Sequence, residues 1–330
     1  MSAFQPVVKS SRLQLVTAFA AVYLIWGSTY LAIRFAVETL PPFFMMATRF
    51  LAGGLLFFLY ALSKGEAKAT ASQWRHAAAI GILMLCGATG VVGWAEVRVP
   101  SGLTALIIAC VPFWIVLIDW LRPGGSKPTA SMIGGLIVGF VGIVILVGPE
   151  HFAGGHRVDP IGAVALILAC LSWSIGTIYS RTHHDKLPKS QWMTAGMELF
   201  VAGLVLYGVG FVTGEASRLT ASDLTVKSIL SLVYLITFGS LGYAAYQFLL
   251  KASTPAKAST YAFVNPLVAV ILGATLGGEE FNLRMGLAAV VIIGAVVVIT
   301  AAKSAKFREG SEPAISKSAD DSATPATEPS

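Results

Sequence analysis

Charged residues are scarce in this 330-residue chain: Asp, Glu, Lys and Arg make up 12% of it, about half the share of a soluble domain. So little polar surface cannot cover a water-soluble particle of this size, which excludes a soluble enzyme with a single anchor. Cysteine is nearly absent. Cys86, Cys110 and Cys170 fall in separate apolar runs, with no CxxC and no His at metal-ligand spacing. They read as buried reduced thiols, and a disulfide framework or a zinc site is excluded. Catalytic signatures are missing too. GGSKPT at 124–129 is not a GxxxxGK[ST] phosphate loop, neither HExxH nor GxSxG occurs, and His183-His184 stand in a basic loop without further ligands. No ATP site, metal or other cofactor is expected. The first apolar run also lacks the layout of a cleaved signal, because Ala18-Phe19-Ala20 follows Arg12 too soon for a complete apolar segment, so it is read as a span.

Apolar residues are what the chain has instead: 55% belong to the AVILMFWYC set, 33 more are Gly, and mean hydropathy is +0.75. Together they supply about 215 residues; at roughly 20 per bilayer crossing, that is room for about ten helical spans. Runs bounded by charge, Pro or Gly clusters place these at 13–34, 42–62, 77–96, 101–121, 130–148, 161–180, 190–213, 228–250, 256–276 and 284–302. Ten spans return the chain to its starting side. That side collects Lys9, Arg12, Lys64, Lys68, Arg75, Arg122, Lys127, Arg181, Lys186, Lys189, Lys251, Lys257 and the basic residues after 302, whereas the other loops hold only Arg98, Arg157, Arg218, Lys227 and Arg284. Positive-inside then predicts cytoplasmic termini, 1–12 and 303–330, in a multi-pass protein of a bacterial inner membrane. This distribution accounts for the net charge of +6 and the pI of about 9.2 with the lipid bilayer as partner and no nucleic acid. Residues 303–330, rich in Ser, Ala, Pro, Glu and Asp, read as a disordered tail.

The chain repeats itself. Trp26 and Arg34 are eight residues apart in the first run, and Trp173 and Arg181 are eight apart in the sixth. Pro112 near the middle of the fourth run answers Pro266 near the middle of the ninth, with Pro100 and Pro255 leading in. Gly134 and Gly142 answer Gly286 and Gly294, and the three offsets are 147, 154 and 152 residues. Duplication follows, with halves at 13–148 and 161–302. Each half has an odd number of spans, so the second enters the membrane from the opposite side. The expected fold is an all-α membrane protein of ten transmembrane helices in two inverted five-helix repeats.

Inverted repeats suit alternating access around a central site. Two ionisable residues lie well inside spans: Arg49 in the second and Glu198 in the seventh, at equivalent positions if Gly53-Gly54 is aligned with Ala202-Gly203. Burying either alone costs roughly 2.5–3.5 kcal/mol on insertion scales. They are read either as a substrate or proton site, with Glu198 the proton-coupling candidate, or as a structural ion pair. Pro112 and Pro266 should each loosen a mid-membrane turn, as packing kinks or against a cavity, and Asn265 beside Pro266 favours the cavity. Trp26, Tyr30, Trp94, Trp173, Tyr243, Tyr246, Gln247 and Tyr261, with Asn265, form a candidate lining for a small amphipathic substrate; individually each also fits an interfacial belt or packing. Glu96 and Asp119 stand at span ends near Arg98 and Arg122 and read as solvated charges. Gly135-x-x-x-Gly139 is a close-packing face that joins helices within the chain or two chains of a homodimer.

IWGSTYLAIRFAVETLPPFFMMATRFLAGG (25–54), WAEVRVPSGLTALIIACVPFWIVL (94–117), SWSIGTIYSR (172–181) and YAFVNPLVAVILGATLGGEEF (261–281) together resemble the EamA-type transporters of the drug/metabolite transporter superfamily, most closely the YedA-like bacterial inner-membrane exporters. The resemblance covers about residues 13–302. It implies a ten-helix inverted-repeat fold and export of metabolites or drugs without ATP. The family's Gly-Glu motif after the ninth span is present as Gly278-Glu279, while the first half has WLRPGGSKPT at that place. The expected function is secondary active export of small metabolites or drugs by alternating access. An importer or exchanger is the alternative within transport; a membrane-embedded scaffold or enzyme is the alternative outside it.

Overall fold

The computed structural model describes residues 10–99, 104, 107–147, 159–220, 224–276 and 283–301. Pro100, Gly278-Glu279 and the tail 303–330 lie outside them. The main helices are α1 (Arg12–Ala36), α2 (Pro42–Ser63), α3 (Ala71–Ala95), α4 (Val111–Leu121), α5 (Ala130–Val147), α6 (Pro160–Thr182), α7 (Gln191–Val212), α8 (Val226–Ala252), α9 (Tyr261–Leu276) and α10 (Leu283–Ala301). No strand occurs among the described residues. Helices α1, α2, α3, α6, α7 and α8 are long and apolar enough to cross a membrane; α4 and Ala130–Gly142 of α5 are shorter apolar stretches.

The sequence supplies the stops and starts. Ser11 with Gln14 and Thr70 with Gln73 form capping boxes at α1 and α3. Proline opens α2 and α6, where its missing N–H would have no partner anyway. Gly65, Gly124 and Gly214 have φ of 79°, 73° and 72° and turn the loops after α2, α4 and α7. The expected boundaries agree with the helices to within a few residues for α1, α2, α5, α6, α7, α8 and α10, whereas α3 starts at Ala71 rather than 77, α4 at Val111 rather than 101, and α9 at Tyr261 rather than 256, after the short helix Pro255–Ala258. The first turns of α3 carry Gln73, Arg75 and His76, polar residues that resemble a loop but here follow the Thr70 cap.

Contacts between helices give their directions; the end where α1 begins is called near, the other far. Ser228 Oγ donates to Phe35 O at 3.0 Å, the Ser28 and Tyr234 hydroxyls pair, and a Cβ on Gly242 would come within 2.7 Å of Trp26 Nε1, so α8 runs antiparallel to α1. Helix α6 runs with α8, through Thr177 Oγ1 to Tyr246 OH at 3.0 Å and Arg181 Nη1 to Leu250 O at 2.7 Å. Helix α4 runs with α6, Cys170 Sγ meeting Ile107 O and Ser174 Oγ meeting Val111 O. Helix α9 runs with α1, through Tyr23 and Thr260 at 2.6 Å and Gly27 against Val268. Helix α2 follows α8, with Gly53 against Ser240, and α7 opposes α2, with Gly54 against the Phe200 N–H and Gly203 against that of Leu51. Small residues let these backbones touch, since packing rather than hydrophobic transfer holds helices together in lipid. Helix α3 opposes α6, Ser172 Oγ donating to Leu83 O and His76 Nδ1 meeting Tyr179 OH. Thus α1, α3, α7 and α9 run near to far, and α2, α4, α6 and α8 run back.

The pairings themselves recur: α1 packs on α9 as α6 packs on α4, α1 on α8 as α6 on α3, and α5 packs on α10. Gly139 of the close-packing face receives the Phe263 ring of α9, and Gly142 receives Ile292 of α10, contacts within the chain. Large apolar side chains such as Leu56, Leu59, Ile137, Leu168 and Leu204 point outward, as a lipid-facing surface requires. One landmark diverges. Arg181 is buried on the C-terminal carbonyls of α8, whereas Arg34 is exposed.

Candidate functional site

Helices from both parts of the chain line an open cavity with about 760 Å³ of space free of protein atoms, open solvent included, among its lining Trp26, Thr29, Tyr30, Arg49, Thr89, Ile108, Val111, Cys170, Trp173, Tyr243, Tyr261 and Asn265. Its wall is mostly aromatic and aliphatic with a few polar groups, the usual make-up of a small-molecule site. Two helices lose regular α geometry beside it: Gly81–Gly90 of α3 and Leu235–Gly239 of α8 are π-helical, a distortion frequent at functional sites. Helix α4 breaks next to it as well. Pro112 lies in the first turn of Val111–Leu121, after a turn at Ala109-Cys110, and not in the middle of an unbroken helix as the sequence suggested. A missing N–H is tolerated in a first turn. Pro266 does sit inside its helix. The Asn265 amide, turned to satisfy its neighbours, donates to Tyr261 O at 3.1 Å and to Tyr23 O at 3.3 Å.

Four rings cluster towards the near end of the cavity. Trp26, Trp173, Tyr246 and Tyr261 all touch one another, with centroids 4.8 to 6.3 Å apart and several edge-on. They come from α1, α6, α8 and α9, so both halves contribute. Gly242 leaves the room that seats the Trp26 indole.

Arg49 supplies the cavity's permanent charge, since a guanidinium keeps its proton. It is 5% exposed, and a Cβ on Gly239 would stand 2.7 Å from its Nη2. Its bonding is thin: Nη1 reaches Met46 Sδ at 3.9 Å, the Phe50 ring lies 5.2 Å from the guanidinium carbon, and Nε has no partner. Here the sequence reading is corrected. Glu96 is not a solvated end charge, because both its carboxylate oxygens are buried and without a hydrogen-bond partner. Arg98, expected beside it, turns away to stack on Trp94 at 4.1 Å and to face Asp159 at 3.9 Å. Asp119 does pair with Arg122, at 2.7 Å.

Glu198 is fully buried and stands behind the cavity wall, towards the near end. Its Oε2 accepts from Tyr243 OH at 2.9 Å and from Gln247 Nε2 at 2.5 Å, Gln247 Oε1 accepts from Ser180, and Oε1 of Glu198 has no partner. Lys251 lies two turns beyond Tyr243 on α8, its Nζ donating to Pro188 O at 3.2 Å. Tyr243 therefore links the cavity to a polar chain that ends at the near side.

A sequence profile of the EamA-like transporter family matches residues 14–148 and again residues 160–301. The chain belongs to the EamA-like transporter family. It is 37% identical over 293 residues to the uncharacterized inner membrane transporter YedA of Escherichia coli K12, covering 88% of this chain and 92% of YedA. The uncharacterized transporter YvbV of Bacillus subtilis is 25% identical, covering 90% and 94% of the two chains. A solved crystal structure superposes with a TM-score of 0.73 over 90% of this chain and 99% of the other; at 19% identity this likeness carries the fold alone.

In this EamA-like transporter the residues singled out from sequence fall into three places. Trp26, Tyr30, Arg49, Trp173, Tyr243, Tyr261 and Asn265 line the cavity. Tyr246, Gln247 and Glu198 lie behind it, in the ring cluster and the polar chain. Trp94 is elsewhere: it faces a second hollow with Phe43, Arg98, Glu215 and Arg218, its ring covered by Arg98. It shares its face of α3 with Arg98, one turn on. The sequence reading missed Glu96 as an inward-facing group, Thr29, Thr89 and Cys170 as lining, and the glycine seats at 239 and 242. The Glu96 signal was available in its spacing from Pro100, four residues on, matched by Lys251 and Pro255.

Proposed function

We propose that the protein is a secondary active transporter that exports small amphipathic metabolites or drugs across the bacterial inner membrane by alternating access. One observation carries the reading: a buried guanidinium with almost no bonding partner faces a mid-molecule cavity that both halves line. An intramembrane charge left unsatisfied is costly, and a solute bearing an acceptor would satisfy it. Opposite running directions of α1 and α6, α2 and α7, α3 and α8, and α4 and α9, with recurring pairings, support two inverted five-helix repeats and ten crossings. With the termini in the cytoplasm, as the loop charges favour, the ring cluster seals the cytoplasmic side and the cavity opens to the periplasm. Proton coupling runs through Glu198, whose bonds to Tyr243 and Gln247 connect the cavity to the opposite face.

The test is uptake and efflux of labelled solutes in liposomes carrying the purified protein, with and without a pH gradient. Glu198→Gln is expected to insert normally and to lose the gradient dependence of transport. Full-rate transport by that variant with unchanged pH dependence rejects the coupling, and indifference to every solute rejects the carrier.

A further inference from the structure

Among the described residues that line the cavity, Arg49 alone carries a formal charge, and it makes no ion pair within the described residues. Glu198 stands behind Tyr243, whose hydroxyl donates to it at 2.9 Å, and Glu96 is not part of the wall. The guanidinium is laid flat. A Cβ on Gly239 would stand 2.7, 3.2 and 3.2 Å from Nη2, Cζ and Nε of Arg49, so one face of the fork rests on α8. Nε and Nη2 form the edge whose two N–H bonds run parallel, the edge that grips a carboxylate through both of its oxygens. Neither has a hydrogen-bond partner among the described residues; the fork's one bond is from Nη1 to Met46 Sδ at 3.9 Å.

The aromatic side of the cavity begins one turn away. Gly242 seats the Trp26 indole, a Cβ there standing 2.7 Å from its Nε1. Gly239 and Gly242 are three residues apart on α8, positions about 5–6 Å from one another on one helix face. Fork and indole therefore lie side by side, and Trp173 and Tyr261 continue the aromatic wall. Charge then selects among solutes. A guanidinium set in an apolar wall attracts one negative charge and repels a positive one. A phosphate ester, with a charge of about −1.5 to −2 at neutral pH, would keep charge unbalanced, since no second cation stands among the described lining residues. An amino acid would bring an ammonium group for which the same residues offer no carboxylate.

We propose that the solute is an organic monoanion: a single carboxylate gripped by the Nε–Nη2 edge of Arg49 and joined by a short link to a flat apolar ring that packs on Trp26. The inference rests on the transporter reading and names the chemical class of its solute. Arg49 sets the specificity for charge, and the indole beside it sets the specificity for shape.

The probes that test this share one ring: phenylacetate, its neutral amide phenylacetamide, the cation phenethylamine and the zwitterion phenylalanine, with acetate to remove the ring. Calorimetric titration of the full-length protein in lipid nanodiscs reads the affinity of each, and liposomes carrying the protein read uptake of the same compounds in labelled form. Phenylacetate is expected to bind about tenfold or more tighter than any of the others and to be the probe that accumulates. Arg49→Gln is expected to bring the ratio of phenylacetate to phenylacetamide affinity to about one, a change of preference that a purely structural role for Arg49 would not produce. Another probe binding as tightly as phenylacetate, or no measurable binding of phenylacetate, overturns the inference. In either case transport of any other labelled solute by the same liposomes leaves the carrier reading standing, whereas indifference to every solute rejects both. If Arg49→Gln does not accumulate in the membrane, Gly239→Ala, which presses on the fork, replaces it: a lower ratio is expected, and an unchanged ratio in the folded protein overturns the inference.

Discussion

Removing the Trp26 indole should open the near end of the cavity. Trp26 touches Trp173, Tyr246 and Tyr261 at centroid distances of 5.5, 5.2 and 4.8 Å. Ring pairs of this kind contribute about 0.5–1.5 kcal/mol each beyond area burial, so three contacts make about 1.5–4.5 kcal/mol that Trp26→Ala removes from the closed near end. Hydrophobic transfer adds little in lipid, so the lost packing is the main term. Since ~1.4 kcal/mol is a tenfold change in an equilibrium, near-side labelling of a cavity cysteine should rise tenfold or more. Trp94→Ala, outside the cluster, is the control and should leave that rate unchanged. A folded Trp26→Ala protein with parental near-side labelling would show that the rings do not form the seal.

Arg49→Lys should lose most solute binding despite keeping the charge, because a point-like ammonium of shorter reach cannot replace the planar fork seated at Gly239; binding titrations against the parent check this. Gly239→Ala and Gly81→Ala add the same methyl group with different results. The first meets the far end of the Arg49 side chain and should weaken binding with little change in Tm; the second meets Glu198 O at 2.5 Å, backbone that cannot swing aside, and should lower stability by about 1–3 kcal/mol. Glu215 lies outside the spans, where burial pushes its carboxyl above the ordinary 4.5 against the pull of the Phe44 and Phe43 N–H groups and Arg218. A carboxyl raised in the folded state binds its proton more tightly there than when unfolded, so stability is full below 4.5 and falls as pH rises through the raised value. Glu215→Gln should abolish that fall, matching the parent near pH 4 and exceeding it near pH 8 in thermal melts.

Span positions were legible because each apolar run ends in charge, proline or a capping pair, and those same residues cap the helices. Trp26 and Trp173 and the prolines suggested a repeat, and the family profile matches two segments, 14–148 and 160–301, that lie over the halves so read. What the sequence could not give was rotation about the helix axis near a span end. Glu96 and Arg98 are two residues apart and looked like one solvated pair, yet the Glu96 oxygens are buried while Arg98 stacks on Trp94. Trp94 failed as a lining residue for the same reason. Glu198 was found by its charge, but that it stands one side chain behind the cavity depends on Tyr243, and no local pattern marks that.

The prolines of α4 and α9 are only half of what opens this bundle. The π-helical stretches occur in α3 and α8, helices that contain no proline and that correspond to one another between the halves. A π turn leaves backbone bonds longer-range than α bonds and admits side chains where an α-helix would be closed. Thr89 uses this directly, its Oγ1 donating to Met84 O five residues back while it lines the cavity. Freed backbone groups cannot face lipid, so they must face the interior, and there they coincide with the cavity: Leu85, Ala88 and Thr89 from one stretch, Gly239 and Ser240 at the end of the other. Each half therefore brings one proline-bearing helix and one π-distorted helix to the same place. A cavity whose wall includes four helices with a proline or a π-helical stretch beside it can change shape by small adjustments at sites where no regular ladder has to be broken. Helices α2 and α7, whose glycines bring their backbones into contact, form the frame that holds Arg49 and Glu198.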